Sequence, residues 1–378
     1  MKIAIVVYRL EPNRGGAERW TSDYVDWLRK RHCVTLLTSR ATHNLQNWSG
    51  ISQQVFSSRD RFEFAQRVSH EVDRSTFDVV HDMGYGFNSD VFQPHCGSQI
   101  AIDRSKRELH SALSKLGRQL LKRFSRRQQK LTALADKQFQ QTHTQFVAVS
   151  ERVSNDLHQL HAIPMDRISM VHNSVDTGRF HPDLRCQFRR RMRQELQIGD
   201  NEFVLLTVAH NHRLKGVPAL LKLAQAQFQR PLHVVVVGGA NKKPCRSRVN
   251  HSSQVTFTGA VDDARPYYGA SDAFVLLSRY DACSLTVLES MASGLPTITT
   301  RVNGASELID HECNGLIAHD GRDTTELQRL VKVCMDAGEA DRLGRAARAT
   351  MERYTQSDNF KAIESLYYQL GSSRRMAA

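Results

Sequence analysis

The sequence predicts an α/β protein built from two doubly wound parallel-sheet domains in series, and three observations carry that expectation. The chain has 378 residues, about two domains at roughly 150 residues each. Short apolar, partly β-branched runs alternate with helical patterns, as expected of parallel strands covered on both faces. The alternation then stops at a polar, Arg-rich stretch and starts afresh.

In chain order, Lys2–Tyr8 reads as the first buried strand. Arg14-Gly15-Gly16-Ala17-Glu18 follows, and then a helical pattern through Trp20, Tyr24, Trp27 and Leu28. Val34–Thr38, Phe77–His81 and Phe146–Ser150 repeat the strand theme, with Ser150 placed to open a helix. Thr177–Asp200, polar and containing Pro182, is the expected linker. The second series comprises the strand Phe203–Val208, a helix over Val217–Phe228, and strands at Leu232–Gly239, Gln254–Thr258, Ala273–Leu277 and Thr297–Thr299. From about Asp323 the pattern is mostly helical. Two such domains suggest a cleft with ligands at the carboxyl ends of strands, so residues that follow strands are the candidates for function.

Composition narrows the class. Apolar residues make up 40% of the chain, enough for sizeable cores and against a disordered protein. No apolar run approaches the roughly 18 residues of a membrane span, and Ile3–Tyr8 is too short for a signal peptide. Seven widely spaced cysteines, without a Cys-x-x-Cys pair, fit a reducing compartment and neither a disulfide framework nor structural zinc. The 17 histidines are scattered, so no metal site is expected.

The formal net charge of +13 is concentrated. Residues 101–130 hold ten Lys or Arg against Asp103 and Glu108, and residues 185–193 hold five Arg and no acid. These two segments equal the whole net charge. Leu109, Leu113, Leu116, Leu120 and Phe124 add an apolar stripe at helical spacing to the first segment. A basic amphipathic helix reads as a surface for anionic lipid or acidic glycolipid, with Arg118, Lys122, Arg123, Arg126 and Arg127 as its cations. The plainer reading is a packed helix with a solvated basic face. No aromatic interleaving supports a nucleic-acid partner.

Three segments could carry chemistry. Gly15-Gly16 lies between the first strand and helix, where paired glycines admit a phosphate or sugar to backbone N–H groups, although such pairs are also ordinary turns. His210-Asn211-His212-Arg213-Leu214-Lys215-Gly216 follows a strand and could neutralise a diphosphate through Arg213 and Lys215. Asp281-Ala282-Cys283-Ser284-Leu285-Thr286-Val287-Leu288-Glu289 places one carboxylate in a loop and a second inside a helix opening near Ser284 or Leu285. Free N–H groups at that helix start suit phosphate, and Glu289 could accept hydrogen bonds from ribose hydroxyls. The helix is expected to end at Gly294, with Pro296 leading into a strand.

The Asp281–Thr299 segment resembles the signature of glycosyltransferase family 4, retaining enzymes of the GT-B fold. The resemblance extends along the chain through Gly15-Gly16-Ala17-Glu18, Asn173-Ser174-Val175-Asp176, Phe180-His181-Pro182, Lys215-Gly216, Phe257-Thr258-Gly259 and Asn303-Gly304-Ala305-Ser306-Glu307. Val91-Phe92-Gln93-Pro94-His95-Cys96-Gly97 and the basic insertion after it resemble the lipopolysaccharide core glucosyltransferases within that family.

The resemblance implies two Rossmann-like domains: an acceptor-binding one over residues 1–180, carrying the basic segment 101–135, and a nucleotide-sugar-binding one over 181–355. Residues 356–378 would form a helix returning to the first. It implies that Gly15 and Gly16 face the donor phosphate and sugar, and that Arg213 and Lys215 grip the diphosphate with His210 nearby. Glu289 would hold the ribose, Leu285 and Thr286 would offer backbone N–H groups, and Gly259 and Val261 would flank the base. Asp281 would hold a sugar hydroxyl and His95 would sit beside the anomeric centre. No metal and no other cofactor is implied. Two departures stand out: Asp281 replaces the family's usual Glu, and Ala209-His210 replaces a Gly-Arg after the strand, so Arg213 is taken as the substitute.

The expected activity is transfer of a hexose, glucose from UDP foremost, to a lipopolysaccharide-core or other glycolipid acceptor with retention. The expected setting is cytoplasmic, on the inner face of an anionic membrane. A GDP-mannose-type mannosyltransferase is the alternative. A sugar-nucleotide epimerase and a catalytically silent glycan- or membrane-binding protein stand further off.

Overall fold

The computed structural model of the chain describes residues 1–11, 15–41, 51–108, 126–239, 245–248 and 253–377. It divides into two compact units, Met1–His172 with Ser357–Ala378, and Asn173–Gln356.

The first unit is a seven-stranded parallel sheet. Its strands are β1 (Lys2–Val6), β2 (Cys33–Thr38), β3 (Ile51–Val55), β4 (Val79–Asp82), β5 (Val91–Phe92), β6 (Gln145–Ala148) and β7 (Ile168–Met170), in spatial order β3-β2-β1-β4-β5-β6-β7. The central strands are apolar on both faces because helices cover both; Ile3, Ala4, Ile5 and Val79 are fully buried. The helix Gly16–Leu28 buries Trp20, Tyr24, Val25 and Leu28. The C-terminal helix Gln356–Ala377 belongs with this unit from Ser357 onward. Its Phe360 ring lies 5.5 Å from Trp20, 5.0 Å from Tyr24 and 5.8 Å from Trp27, so one aromatic cluster joins the two helices.

The second unit is also a seven-stranded sheet, with six parallel strands and one antiparallel edge. Its strands are β8 (Phe203–Val208), β9 (Leu232–Val237), β10 (Cys245–Arg248), β11 (Ser253–Gly259), β12 (Ala273–Leu276), β13 (Thr297–Thr300) and β14 (Leu316–Ala318). They run in the order β10-β11-β9-β8-β12-β13-β14, with only the β10–β11 pair antiparallel. Both units are Rossmann-like, as the alternating pattern predicts.

The Arg-rich stretch differs from the expected linker. Within Thr177–Asp200, residues Leu184–Glu195 form a helix. Its Arg185, Arg189 and Arg193, four residues apart, share one face and converge on the Asp272 carboxylate at 3.5, 2.8 and 2.6 Å. Asp272 also accepts from the Val204 amide at 2.9 Å. Three of the five arginines are thus held by one carboxylate on the loop entering β12, and the segment packs as a surface helix of the second unit. The expected helix Val217–Phe228 is shorter, ending at Leu223.

Leu109, Leu113, Leu116, Leu120, Phe124, Arg118, Lys122 and Arg123 lie outside the described residues, as do the side chains of Arg126 and Arg127, which begin the helix Arg126–Phe139. Among the described residues, no helix is long and apolar enough to cross a membrane.

Candidate functional site

Strand order sets where each unit can hold a ligand. In the second sheet β8 is flanked by β9 on one side and β12 on the other. Connections leaving these strands turn away in opposite directions, and the loops after β8 and β12 are left side by side.

The two loops are pinned together. Gly216 opens the helix Val217–Leu223 with φ +76°, and a Cβ there would lie 2.0 Å from the Leu277 carbonyl oxygen, so only glycine fits. The Arg279 amide donates to the Leu214 carbonyl at 2.9 Å. This approach brings the Lys215 ammonium onto the Asp281 carboxylate, which also accepts from Ser278 Oγ at 3.2 Å. Lys215 and Asp281, 66 residues apart, form one partly buried ion pair at the strand ends. Arg213 and His210 on the same loop are exposed. The histidine that packs is His212: its ring nitrogen is 3.2 Å from the Gly238 carbonyl, and a Cβ on Gly239 would meet that nitrogen at 2.5 Å. The Gly238-Gly239 pair after β9, bonded to Gly259 at the end of β11 by a 2.8 Å amide hydrogen bond, lets the loop after β8 pack directly on it, since a Cβ on Gly238 would meet the Ala209 carbonyl oxygen at 2.9 Å. Gly259 ends β11, and Ala260 and Val261 follow it.

The helix Leu285–Ala292 starts beside that ion pair. Ser284 is its N-cap but makes no side-chain cap hydrogen bond, so the N–H groups of the first turn, Leu285 and Thr286 among them, are not closed by it. Fully buried Asn303 fixes the position of this start. Its Oδ1 accepts from the Ser284 and Ala305 amides at 3.1 Å each, and its Nδ2 donates to Thr299 Oγ1 at 3.0 Å. One turn further in, Glu289 Oε2 accepts from the Tyr268 hydroxyl at 2.8 Å. The same hydroxyl is 3.2 Å from the Thr286 carbonyl. Tyr268 is buried; burial first, and the Glu289 charge second, hold its phenol well above the usual range, so it stays a donor. Carboxylates, an ammonium and helix N–H groups therefore gather at one sheet edge, an arrangement suited to an anionic ligand bearing hydroxyl groups.

The first unit repeats the switch between β1 and β4. Asp82, at the end of β4, is fully buried and accepts from the Gly84, Tyr85 and Gly86 amides at 2.9, 2.7 and 2.8 Å. Burial pushes its carboxyl up to about 6 against the pull of those three amides, and the contacts shape the loop after β4. Gly15 caps the helix Gly16–Leu28 in fully extended backbone that any residue adopts; a Cβ there would come within 2.8 Å of Glu18 Oε2. The helix N-terminus has no side-chain cap. His95 packs edge-on to Trp20 with ring centroids 4.6 Å apart. Burial pushes its imidazole down to about 4, so it is neutral near pH 7.

Of the residues singled out from sequence, Lys215, Asp281, Leu285, Thr286 and Glu289 lie on the loop and helix just described in the second unit, with His210 and Arg213 exposed on the same loop. Gly15, Gly16 and His95 belong to the first unit. Asn303 enters from sequence only within a family motif, without a role, while Tyr268, Ser278 and Gly238-Gly239 are not singled out there. The glycine pair after a strand was a usable signal; Tyr268, 21 residues before its partner, carried none.

Comparison with known proteins supplies a chemical context. A model described as Glycosyltransferase Family 4 matches residues 14–179, and one described as Glycosyl transferases group 1 matches residues 202–336. N-acetyl-alpha-D-glucosaminyl L-malate synthase of Bacillus anthracis is 26% identical over 232 residues, 59% of each chain. The matches span less than two thirds of the length of the first such curated relatives. Among solved structures, WaaG, a glycosyltransferase involved in lipopolysaccharide biosynthesis, superposes with a TM-score of 0.74 at 16% identity, over 97% of this chain and 99% of its own. Anabaena HepE, solved in complex with UDP-glucose, superposes with a TM-score of 0.69 at 19% identity, over 97% and 99%. At these identities the superpositions establish the fold: two Rossmann-like domains matching GT-B glycosyltransferase structures.

Proposed function

We propose that this chain, which carries a glycosyltransferase family 4 domain followed by a glycosyl transferases group 1 domain, moves a hexose from a nucleoside diphosphate sugar to a glycolipid acceptor with retention of configuration. One observation carries the reading: the Lys215–Asp281 pair, the uncapped start of the helix Leu285–Ala292 and the Tyr268-held Glu289 share the carboxyl edge of one sheet. Lys215 and the Leu285 and Thr286 amides are assigned to the diphosphate, with Arg213 and His210 on the same loop. Glu289 is assigned to the ribose, Gly259 and Val261 to the base, and Asp281 to a sugar hydroxyl. In the first unit, Gly15 and Gly16 are assigned to phosphate and sugar, and His95 to the transferred sugar.

The chemical task is to stabilise an oxocarbenium-like sugar while negative charge grows on the departing diphosphate. Lys215 and the helix N–H groups do this without a metal in our reading. Attack on the same face as departure, with a diphosphate oxygen taking the acceptor proton, accounts for retention; trapping of a covalent glycosyl-enzyme would contradict it. UDP-glucose and a lipopolysaccharide-core acceptor are the proposed pair, supported by what HepE was solved with and by WaaG's place in lipopolysaccharide biosynthesis. The basic segment 101–135 is assigned to an anionic membrane surface at the cytoplasmic face.

Calorimetric titration with UDP, GDP and ADP tests the site. UDP is expected to bind most tightly, and Glu289→Ala to weaken it about 10–100-fold, the worth of hydrogen bonds to a charged group. GDP preference would point to a mannosyltransferase, and binding of none of the three would refute the assignment. Tyr268→Phe is expected to weaken UDP about 3–10-fold while leaving the fold intact, because the ring keeps its edge contact with Phe180 and its stacking on Phe274. Unchanged affinity would show that Glu289 needs no positioning.

A further inference from the structure

A chain of buried hydrogen bonds joins Tyr24 on the helix Gly16–Leu28, Tyr367 on the C-terminal helix and His81 on β4. Tyr24 donates its hydroxyl to Tyr367 at 2.9 Å, and the Tyr367 hydroxyl lies 2.5 Å from His81 Nδ1. All three side chains are fully buried. A phenol that accepts from Tyr24 has its own proton for His81 Nδ1. A neutral His81 therefore carries its ring proton on Nε2.

That Nε2 is not alone. Among the described residues, His81 Nε2, both polar atoms of the Gln93 side-chain amide and His95 Nε2 are buried and complete no hydrogen bond of good geometry, although the Gln93 side chain lies near enough to act on the His81 ring as a hydrogen-bonding group. Four such polar atoms so close in the fold are unusual in a native interior. Gln93 follows β5 beside β4, with its amide bonded to the Asp82 carbonyl at 2.8 Å, and its side chain adjoins the His81 ring. His95 is bonded back to the Gln93 carbonyl at 3.0 Å.

Donors and acceptors then match in a single order. The proton on His81 Nε2 needs an acceptor, which the Gln93 amide oxygen supplies. The Gln93 NH₂ group needs an acceptor, which an unprotonated His95 Nε2 supplies. We infer that Tyr367 and His81 are positioning residues which, through Gln93, hold His95 in the tautomer that carries its proton on Nδ1. His95 then presents a fixed N–H donor and not an acceptor. Burial supports this by keeping both rings neutral, His81 down to about 3 and His95 down to about 4, so each holds one ring proton. The consequence for catalysis rests on the proposed role of His95; the tautomer does not.

Long-range proton–nitrogen NMR on the full chain labelled with [¹⁵N]histidine tests the inference, with His81→Gln and His95→Gln supplying assignments. In the native chain, His95 Nε2 is expected to give the resonance of an unprotonated ring nitrogen and Nδ1 that of a protonated one. Gln93→Leu and Tyr367→Phe are each expected to lose that single-tautomer pattern. Tyr24→Phe should keep it, because Tyr367 still donates to His81. A native His95 protonated on Nε2, or a pattern unchanged in both Gln93→Leu and Tyr367→Phe, would overturn the inference. Should those two variants fail to fold, the native spectrum decides alone. Because no nucleotide is added, failure of the transferase reading would leave these spectra as described.

Discussion

Lys215→Ala is expected to lower kcat/KM for the nucleotide sugar about 10²–10³-fold, the usual cost of removing one preorganised group aimed at developing charge. Two effects act together. The ammonium that would meet the diphosphate is lost, and Asp281 loses the cation that neutralises it, leaving a carboxylate beside an anionic ligand. The loss should fall on the chemical step more than on stability, because the loop is pinned by backbone contacts of Gly216 and Arg279 that the variant keeps. Steady-state kinetics with an unfolding scan on the same sample checks both halves. The double variant Lys215→Ala with Asp281→Ala should cost less than the product of the single losses, because the two groups interact directly. Independent effects would show that the pair is not one functional unit.

Asp272→Ala is expected to carry the largest stability cost. It leaves Arg185, Arg189 and Arg193 facing one another around an empty centre, with Arg193 only 5% exposed, and it removes the acceptor for the Val204 amide at the head of β8. Breaking a buried charge cluster by deleting one sign costs about 3–5 kcal/mol, which for a unit of this size lowers the midpoint by about 10 °C. Thermal unfolding measures this directly, and a change under about 1 kcal/mol would show the cluster to be solvent-screened. The cluster also sets a pH dependence. Burial raises the Asp272 carboxyl, but Arg193, the Val204 amide and Arg189 outweigh it and hold it below its ordinary value. A carboxyl lowered on folding stabilises above its unfolded value, about 4, and that contribution disappears as pH falls through the lower folded value. Acid unfolding of the native chain should therefore steepen below about pH 4, and Asp272→Ala should flatten that limb.

What could be read from the sequence followed burial. β8 is Phe203–Val208 in both the reading and the structure, because a strand covered on both faces is one uninterrupted apolar run. β3 escaped notice because it is a partly exposed edge, and Ser52, Gln53 and Gln54 give it no apolar signature. β5 and β14, at two and three residues, are too short to show a period. The helix Leu184–Glu195 reads as a linker from its charged arginines, and only the fold supplies Asp272, which lies about eighty residues further on. The site divides the same way. Residues that follow strands, Lys215 and Asp281 among them, could be picked out by position. Tyr268 could not, since it matters through a partner chosen by packing; Asn303 and Gln93 stand in the motifs, but the groups they act on are supplied only by the fold.

Hexose transfer with retention is decided by NMR of the product formed from UDP-glucose and a truncated lipopolysaccharide-core glycolipid. An α-linked glucose on the acceptor is expected, with one UDP released for each sugar transferred. A β-linked product, or no transfer from UDP-, GDP- or ADP-sugars to any glycolipid offered, would contradict retaining transfer.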